Sequence, residues 1–180
     1  EEVAAAFDHL EQAGKVRHFG VSNQNPMMME LLKTAVKQPL KVNQLQLSAA
    51  FTPSFEAGFH VNMEGPKAAV RDGSVFEYCR LTDTVIQAWS VLQHGYFKGN
   101  FVGKEEFTAL NHVLNDLAKK YQITPTAIAL AWVLRYPGKM QAVIGTTKPQ
   151  HVLEAGKAAE VTLTRKEWYQ IYLAAGNDLP

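Results

Sequence analysis

Small polar and aromatic residues stand at or just beyond the ends of four short apolar stretches. They are Ser22-Asn23, Gln44, Trp89-Ser90 and Gly145-Thr146-Thr147. The amides of Asn23 and Gln44 each offer donors and an acceptor, which match a planar carboxamide presenting the same groups in reverse. The indole of Trp89 offers a face on which a flat ring can stack. These residue types therefore suit a flat ring that carries a carboxamide.

The fourth group, Gly145-Thr146-Thr147, suits a phosphate. Small Gly and Thr residues precede Pro149, which is typical of a first helical residue, so backbone N–H groups and the positive end of a helix meet there. Ring, carboxamide and phosphate together indicate a dinucleotide. Each feature also has a structural interpretation, because Ser-Asn is a common helix start and Trp89 is equally suited to a core.

Several familiar catalytic signatures are absent from the sequence. It contains no HExxH, no clustered Cys and His, no GxGxxG, no GxxxxGK[ST] and no GxSxG, so we expect no metal site. The scattered residues His18, His60 and His112 are expected to be structural and hydrogen-bonded. The single cysteine, Cys79, is expected to be a buried and inert thiol.

Composition indicates one ordinary soluble domain, or part of one. The chain has 180 residues, of which 47% are hydrophobic and 19% charged, with 18 Lys plus Arg against 17 Asp plus Glu. This balance of charges predicts neither a basic surface for binding nucleic acid nor a basic patch for binding a membrane. No long apolar stretch is present and residues 1–4 do not resemble a signal peptide, so we expect a cytoplasmic location.

Helices and strands alternate along the sequence. The patterns predict strands at 16–22, 42–48, 85–90 and 142–145, and helices at 1–13, 26–37, 104–121, 125–135 and 149–159. Two further helices are indicated by the capping-box patterns Ser74-x-x-Glu77 and Thr164-x-x-Glu167. Residues 48–73 show no clear period, which is typical of a functional loop.

Polar side chains favour one face of the predicted strands. In the second strand, the apolar pair Leu45 and Leu47 opposes Gln44, Gln46 and Ser48, while in the first Phe19 and Val21 oppose His18, Gly20 and Ser22. An open sheet covered by helices on both sides needs two apolar faces. A barrel, in which helices cover the outside and the inside opens into a site, explains the asymmetry better.

The fold class predicted is therefore α/β, a (β/α)8 TIM barrel represented by about four strand-helix units. A full barrel needs about 250 residues, so residues 1–180 are expected to form a single partial domain, half of a barrel. Four parallel strands leave two unpaired edges. We expect the chain to be a fragment that self-associates or pairs with the missing half.

Five segments resemble the C-terminal half of the aldo-keto reductases in order and spacing. They read GKVRHFGVSN (14–23), VNQL (42–45), AWS (88–90), IALAWVLR (128–135) and VIGTTKP (143–149). The closing LTRKEWYQIY (163–172) is most similar to a bacterial oxidoreductase branch of that family. The resemblance covers essentially the whole chain and implies an eight-stranded barrel that binds extended NADPH without a Rossmann domain.

The resemblance also implies roles at individual positions. Ser22, Asn23 and Gln44 would hold the nicotinamide carboxamide, and Trp89 stands where the family most often has a Tyr stacked on the ring. Ser90 and Leu92 would border the pyrophosphate. Around the adenosine end it implies Gly145, Thr146, Thr147 and Lys148 at the 2'-phosphate, with His151 and Glu154 beside the adenine.

Two groups of residues depart from the family pattern. Many members have an Arg at the position of His151 and an Asn at that of Ala155, so NADH is not excluded as the cofactor, although Lys148 can still pair with the extra phosphate. The family's catalytic Asp, Tyr, Lys and His come from the first half of the barrel. No catalytic residue is therefore assigned in this chain, which alone is expected to be inactive.

The expected parent is an NADPH-dependent reductase of small carbonyl compounds, with this chain as its cofactor-binding half. Two alternatives stay open: a nucleotide-sensing or regulatory barrel without significant catalysis, and a plain scaffold whose polar strand ends are only caps. Substrate contacts are expected from the 48–73 loop, whose Phe51, Phe55, Phe59 and His60 suit an apolar carbonyl compound or the packing of a core.

Overall fold

Four parallel strands form one sheet in the computed structural model, which describes residues 1–55, 74–95 and 98–178. They are β1 (Phe19–Ser22), β2 (Leu40–Gln46), β3 (Val85–Trp89) and β4 (Met140–Ala142), in the order β1-β2-β3-β4. Every neighbouring pair is parallel. Consecutive parallel strands need a crossover connection, and the intervening helices supply it. The α/β class is confirmed, and the topology is that of half a barrel.

The helices follow the expected alternation. They are α1 (Glu2–Gln12), α2 (Pro26–Lys33), α3 (Val75–Leu81), α4 (Thr108–Tyr121), α5 (Pro125–Leu134), α6 (Pro149–Gly156) and α7 (Arg165–Ala174), with 3-10 turns at Glu105–Phe107 and Lys157–Glu160. Two predicted ends are too late. The segment predicted as 26–37 stops at Lys33, where the Thr34 hydroxyl donates to the Leu31 carbonyl at 2.7 Å. The segment predicted as 149–159 changes to a 3-10 turn after Gly156.

The four predicted helix starts are confirmed, but one of the two predicted capping boxes is wrong. The side chains of Asn25, Thr124 and Thr164 accept hydrogen bonds from the first-turn N–H groups of α2, α5 and α7, and Thr164 forms a full capping box with Glu167. Ser74 precedes α3 but its side chain makes no capping hydrogen bond. Its φ of 53° is left-handed, whereas a capping residue needs an extended backbone to aim its side chain at the helix.

The fourth strand lies earlier than predicted. Residues 142–145 were expected to be extended in the sheet, but β4 occupies Met140–Ala142. Pairing with Ile86, Gln87 and Ala88 of β3 fixes this register, and the last hydrogen bond runs from the Val143 N–H to the Ala88 carbonyl at 2.8 Å. The chain beyond it leaves the sheet, so Gly145 belongs to the loop before α6.

The two faces of the sheet differ as the alternation predicts. On the outer face, Leu45, Ile86 and Ala88 belong to the main core with the helices. On the inner face, strand register aligns Ser22 with Gln44, Gln44 with Gln87, and Gln87 with Gln141. Two inner-face residues nearer the strand ends, Gln46 and Ser48, were expected to line an open site but are buried.

Aromatic residues of α5 and α7 form the centre of the core. Trp132 and Trp168 stack with their ring centres 4.9 Å apart, and each indole N–H donates to the other residue's carbonyl at 3.1 Å. Phe55 packs among them and stacks on Tyr136 at 5.8 Å. Of the loop residues proposed for substrate, Phe55 is therefore a core residue and Phe51 is half-buried.

The remaining single-residue predictions have mixed outcomes. Cys79 is buried as expected, and burial raises its pKa to about 11. His18 is exposed, and the expected hydrogen bond to its side chain is not found among the described residues. His112 is also exposed and lies 3.2 Å from Asp116. Phe59 and His60 lie outside the described residues.

Within the described ranges, no helix is long and apolar enough to cross a membrane. The same part of the chain contains no cluster of three or more His, Cys, Asp or Glu side chains placed to hold a metal ion.

Candidate cofactor site

The turn after β1 is fastened to the neighbouring strand through one carbonyl group. The Gln44 carbonyl accepts from the Ser22 hydroxyl at 3.1 Å and from the Asn23 N–H at 2.9 Å. Asn23 has a left-handed backbone with φ of 54°, a conformation that Asn tolerates better than most residues. The turn therefore holds the exposed residue Asn23 against the neighbouring strand at Gln44.

Asn43 supports this turn from the other face of β2. It is fully buried, and its Nδ2 donates to the Gln24 carbonyl at 2.8 Å while its Oδ1 accepts from the Gln24 N–H at 3.4 Å. Both backbone groups of Gln24 are thus satisfied by one side chain. This role of Asn43 was not predicted, although an amide at an outward strand position, which should be apolar, was an available signal.

Gln44 begins a row of three glutamine side chains on the inner face. Its Nε2 donates to Gln87 Oε1 at 3.3 Å, and Gln87 Nε2 donates to Gln141 Oε1 at 2.9 Å. No described residue donates to the Oε1 of Gln44, or bonds to the carboxamide of Asn23. Two amide groups are consequently available to a ligand at this position. Gln87 and Gln141 were not among the predicted site residues.

Trp89 lies on the same face as Gln44, at the end of the adjacent strand. It pairs in register with Gln46, two residues after Gln44, which places it about 8 Å from Gln44 by sheet geometry. Its side chain is half-buried. A flat ring whose carboxamide reaches Gln44 would span that distance, so the indole is suitably placed for stacking.

The loop after Trp89 turns back at once. Ser90 has a left-handed φ of 51°, and its carbonyl accepts from the Gln93 N–H at 2.8 Å. Leu92 packs its side chain against the core, and its carbonyl accepts from the Phe101 N–H at 3.1 Å. Leu92 therefore anchors this loop, and any contact it makes with a pyrophosphate runs through its backbone.

Two buried polar residues lie below this loop. The Ser48 hydroxyl donates to the Gln93 carbonyl, while Gln46 Nε2 is buried without a hydrogen-bond partner among the described residues. Farther along, a cavity of about 730 Å³ is lined partly by His94, Lys98 and Lys104. Glu105 and Glu106 line it as well, with Glu106 3.7 Å from His94. Its charges nearly balance, so the cavity alone does not indicate an anion site.

The second group of predicted residues lies between β4 and α6. A side chain added at Gly145 would meet no atom within 4 Å, so the backbone there is open to a ligand. Thr146 Oγ1 accepts from the Lys148 N–H at 3.2 Å and lies 3.4 Å from His151 Nδ1. Thr147, Lys148 and His151 are exposed. A lysine, a histidine and two threonine hydroxyl groups therefore lie near the start of α6.

Glu154 lies one turn further along α6, where its carboxylate accepts from Gln150 Nε2 at 3.0 Å. The predicted residues thus form two groups, one on the inner face around Gln44 and one at the start of α6. Their chemistry fits a dinucleotide, because one end carries an aromatic face and two amides with groups that no described residue bonds, while the other end carries an open backbone and a lysine.

The chain is similar in sequence to known proteins. A sequence model of the aldo/keto reductase family matches residues 1–174. The chain is 32% identical to 6-dehydroglucose reductase of Agrobacterium fabrum, covering 99% of this chain and 54% of that protein. It is also 32% identical to oxidoreductase YdhF of Escherichia coli, again covering 54% of the relative. The chain therefore spans about half the length of these relatives.

Solved structures support the fold. The thermostable aldo-keto reductase Tm1743, crystallised with the inhibitor epalrestat, superimposes with a TM-score of 0.68 at 21% identity, covering 95% of this chain and 53% of that one. MGS-M4, an aldo-keto reductase from a deep-sea metagenome library, gives a TM-score of 0.65 at 20% identity, covering 97% and 54%. The half-barrel interpretation is therefore confirmed.

Proposed function

This chain belongs to the aldo/keto reductase family, and from that premise we propose that the protein is an oxidoreductase that reduces aldehydes or ketones with NADPH. In this proposal, residues 1–180 supply the half that binds the cofactor. The observation that carries it is the arrangement around Gln44. One backbone carbonyl fixes Ser22 and Asn23, while no described residue bonds to the carboxamide of Asn23 or to the Oε1 of Gln44.

The role of residues 1–180 in this proposal is to orient the nicotinamide ring of the cofactor. When bound, NADPH supplies the hydride that is transferred to the carbonyl carbon of the substrate. Ser22, Asn23 and Gln44 would hold the carboxamide, and Trp89 would cover one face of the ring, so that only the other face would be open to substrate. Each hydrogen bond contributes about 1 kcal/mol. Three such bonds fix the ring's distance and angle, which is the entropic part of the rate enhancement.

Affinity for the cofactor comes mainly from contacts with its adenosine and phosphate end. Gly145, Thr146 and Thr147 present backbone and hydroxyl groups at the start of α6, where the helix favours negative charge. Lys148 pairs with the 2'-phosphate as a point charge, and His151 and Glu154 flank the adenine. Since His151 replaces an Arg that many relatives carry, we propose a moderate rather than absolute preference for NADPH.

The proton needed at the carbonyl oxygen comes from outside this chain. No catalytic residue is assigned among residues 1–180, and the resemblance implies a Tyr whose acidity a neighbouring Lys raises. The complete reaction then balances, because hydride reaches the carbon and a proton reaches the oxygen. By this proposal the isolated chain binds cofactor without catalysing reduction.

Cofactor binding is tested with the whole protein by titrating NADP⁺ and following tryptophan fluorescence. NADP⁺ is preferred to NADPH because it does not absorb the emitted light. Stacking on Trp89 should quench emission, and the quenching should disappear in Trp89→Phe while binding measured by calorimetry persists. Unchanged fluorescence in the wild type, together with no heat of binding, would contradict cofactor binding and favour the alternative of a scaffold whose polar strand ends are only caps.

Catalysis is tested separately by following NADPH oxidation at 340 nm with a panel of aliphatic and aromatic aldehydes and ketones. We expect turnover with several of them. A protein that binds NADP⁺ tightly but oxidises NADPH no faster than the background would contradict the reductase proposal. That behaviour belongs to a nucleotide-sensing barrel.

We further propose that this half pairs with an N-terminal half in the cytoplasm. In the described sheet, β1 and β4 each have one neighbouring strand, so each leaves an edge to be covered. Light scattering on residues 1–180 tests this point. We expect association or aggregation, and a monodisperse 20 kDa species would contradict it.

A further inference from the structure

Three glutamines occupy equivalent positions on three neighbouring strands. Gln44, Gln87 and Gln141 are aligned in register on β2, β3 and β4, and their side chains are linked by two hydrogen bonds that run in the same direction. In each bond, the N–H₂ of one residue donates to the Oε1 of the next. The row therefore has a polarity as well as a position.

That polarity decides what Gln44 offers to a ligand. A glutamine amide can turn by half a rotation with almost no change in shape, which exchanges its donor and its acceptor. Because Gln44 Nε2 is engaged by Gln87, its Oε1 is the group left to accept a hydrogen bond. If Gln87 were absent, Gln44 could present either group to a ligand.

We propose that Gln87 and Gln141 are positioning residues that hold the Gln44 amide with its acceptor turned toward the N–H₂ of the nicotinamide carboxamide. This inference rests on the proposed function, in which Gln44 binds that carboxamide. Gln87 is the direct partner and is half-buried, whereas Gln141 is exposed and acts through Gln87. The row selects one rotamer of the carboxamide, the one whose amine faces Gln44.

An analogue of the cofactor provides the test. In 3-acetylpyridine adenine dinucleotide phosphate, a methyl group replaces the carboxamide N–H₂, so nothing can donate to Gln44 Oε1. The whole wild-type protein should bind this analogue about tenfold more weakly than NADP⁺, which corresponds to one well-placed hydrogen bond. The ratio of the two dissociation constants, measured by calorimetry, is the quantity to compare among variants.

The variant Gln87→Met should lower this ratio to about twofold, because a released Gln44 can turn and donate to the acetyl oxygen. Gln87→Glu should keep the wild-type ratio, since a carboxylate still accepts from Gln44 Nε2. Gln12→Met, a matched change at an exposed residue of α1, should also keep it. A merely structural role would weaken both ligands together and leave the ratio unchanged in Gln87→Met, which overturns the proposal.

Two further measurements keep the test decisive. If Gln87→Met does not fold, Gln141→Met at the exposed end of the row should give an intermediate ratio, and a wild-type ratio there overturns the proposal. In a double-mutant cycle, Gln87→Met should have no further effect on the ratio once Gln44 is Ala. Failure of the proposed function looks different, because NADP⁺ then does not bind to the wild type at all.

Discussion

Neighbouring residues of β2 serve opposite faces of the sheet. Asn43 points outward and holds both backbone groups of Gln24, while Gln44 points inward and joins the glutamine row. The alternation of side chains along a strand makes this division possible. One dipeptide thus shapes the turn that carries Asn23 and also contributes an amide to the same site.

Removing the Asn43 amide should therefore disturb both stability and binding. In Asn43→Ala, the Gln24 N–H and carbonyl lose their partner in a buried setting, which should lower the free energy of unfolding by about 2 kcal/mol. The turn should loosen, and NADP⁺ affinity should fall about fivefold. Urea unfolding and calorimetry measure the two effects. Asn115→Ala, at an exposed site on α4, is the matched control, and equal behaviour of the two variants would refute the assignment.

Lys148 provides a second prediction about a single residue. If its ammonium group pairs with the 2'-phosphate, Lys148→Met should weaken NADPH about fivefold to tenfold and leave NADH almost unchanged, because NADH lacks that phosphate. The ratio of the two dissociation constants is the measurement. Raising the salt concentration should shrink the difference in the wild type, since the lysine is exposed. An equal loss of affinity for both cofactors would show that Lys148 does not pair with the 2'-phosphate.

Motifs located some of these residues but not all. Ser22, Asn23 and Gln44 could be proposed because the segments around them are distinctive and the polar residues follow predicted strands. Gln87 and Gln141 carry no local signal, since a glutamine in a strand is common on a solvent-exposed face. Their significance depends on register between strands far apart in sequence, which alternation within one strand does not define.

Among the elements, α4 and α7 are joined by a buried carboxylate. Burial alone raises the pKa of Glu167, but hydrogen bonds from Lys120, Thr164 and Tyr121 outweigh it and lower the pKa from 4.5 to about 2. The same group completes the capping box of α7. This one side chain therefore starts a helix and fastens it to its neighbour.

The depressed pKa predicts a sensitivity to acid. The stabilisation from ionised Glu167 is complete above about pH 4.5 and is lost as the pH falls toward 2, because protonation then becomes favourable in the folded state as well. It amounts to about 1–2 kcal/mol, given that Lys120 is largely solvated. Glu167→Gln should remove this part of the pH dependence, as measured by urea unfolding from pH 6 to 2. Glu160→Gln, at an exposed site, should retain the wild-type slope.

The helix starts give a paired prediction. Thr124→Ala removes the side chain that accepts from the Ala127 N–H and should cost about 1 kcal/mol of stability. Ser74→Ala should cost almost nothing, because Ser74 makes no capping bond. Thermal unfolding of the two variants compares them directly. A similar loss in both would show that Ser74 does cap α3.

Starts of helices were more predictable than their ends for a physical reason. A capping side chain and a Pro at the first turn are local features, as at Asn25-Pro26 and Thr124-Pro125. The end of α2 depends on burying Val36 and Leu40 with Met29 in a small separate core. The position of β4 depends on its partner strand. Both require contacts that no short window of sequence contains.

At the scale of the whole molecule, the sheet separates stability from binding. Its outer face is buried under helices and forms the main core, while its inner face carries the amide row. The barrel class was predictable from this asymmetry, because side-chain alternation is a local property. The packing of Phe55 in the core was not predictable, since aromatic residues suit a substrate pocket and a core equally.

Ligand binding should therefore raise the stability of the whole protein without altering its core. At NADP⁺ concentrations one hundred times the dissociation constant, mass action adds about 2.7 kcal/mol, and the melting temperature should rise by about 5 °C. At the same NADP⁺ concentration, the melting temperature of Gln44→Ala should rise less than that of the wild type. With 2'-phosphoadenosine diphosphate ribose, which lacks the nicotinamide, the melting temperatures of both proteins should rise equally. A smaller rise in the variant with this second ligand would contradict the role of Gln44.

The three tryptophans of the chain occupy two separate environments. Trp132 and Trp168 are stacked and almost wholly buried, while Trp89 stands half-buried on the inner face. The protein thus contains two built-in optical probes. Near-ultraviolet circular dichroism of the stacked indoles reports whether the core is intact. Fluorescence emission of Trp89 reports whether a ligand binds to the inner face of the sheet. The effects of a substitution on folding and on ligand binding can therefore be measured in one sample.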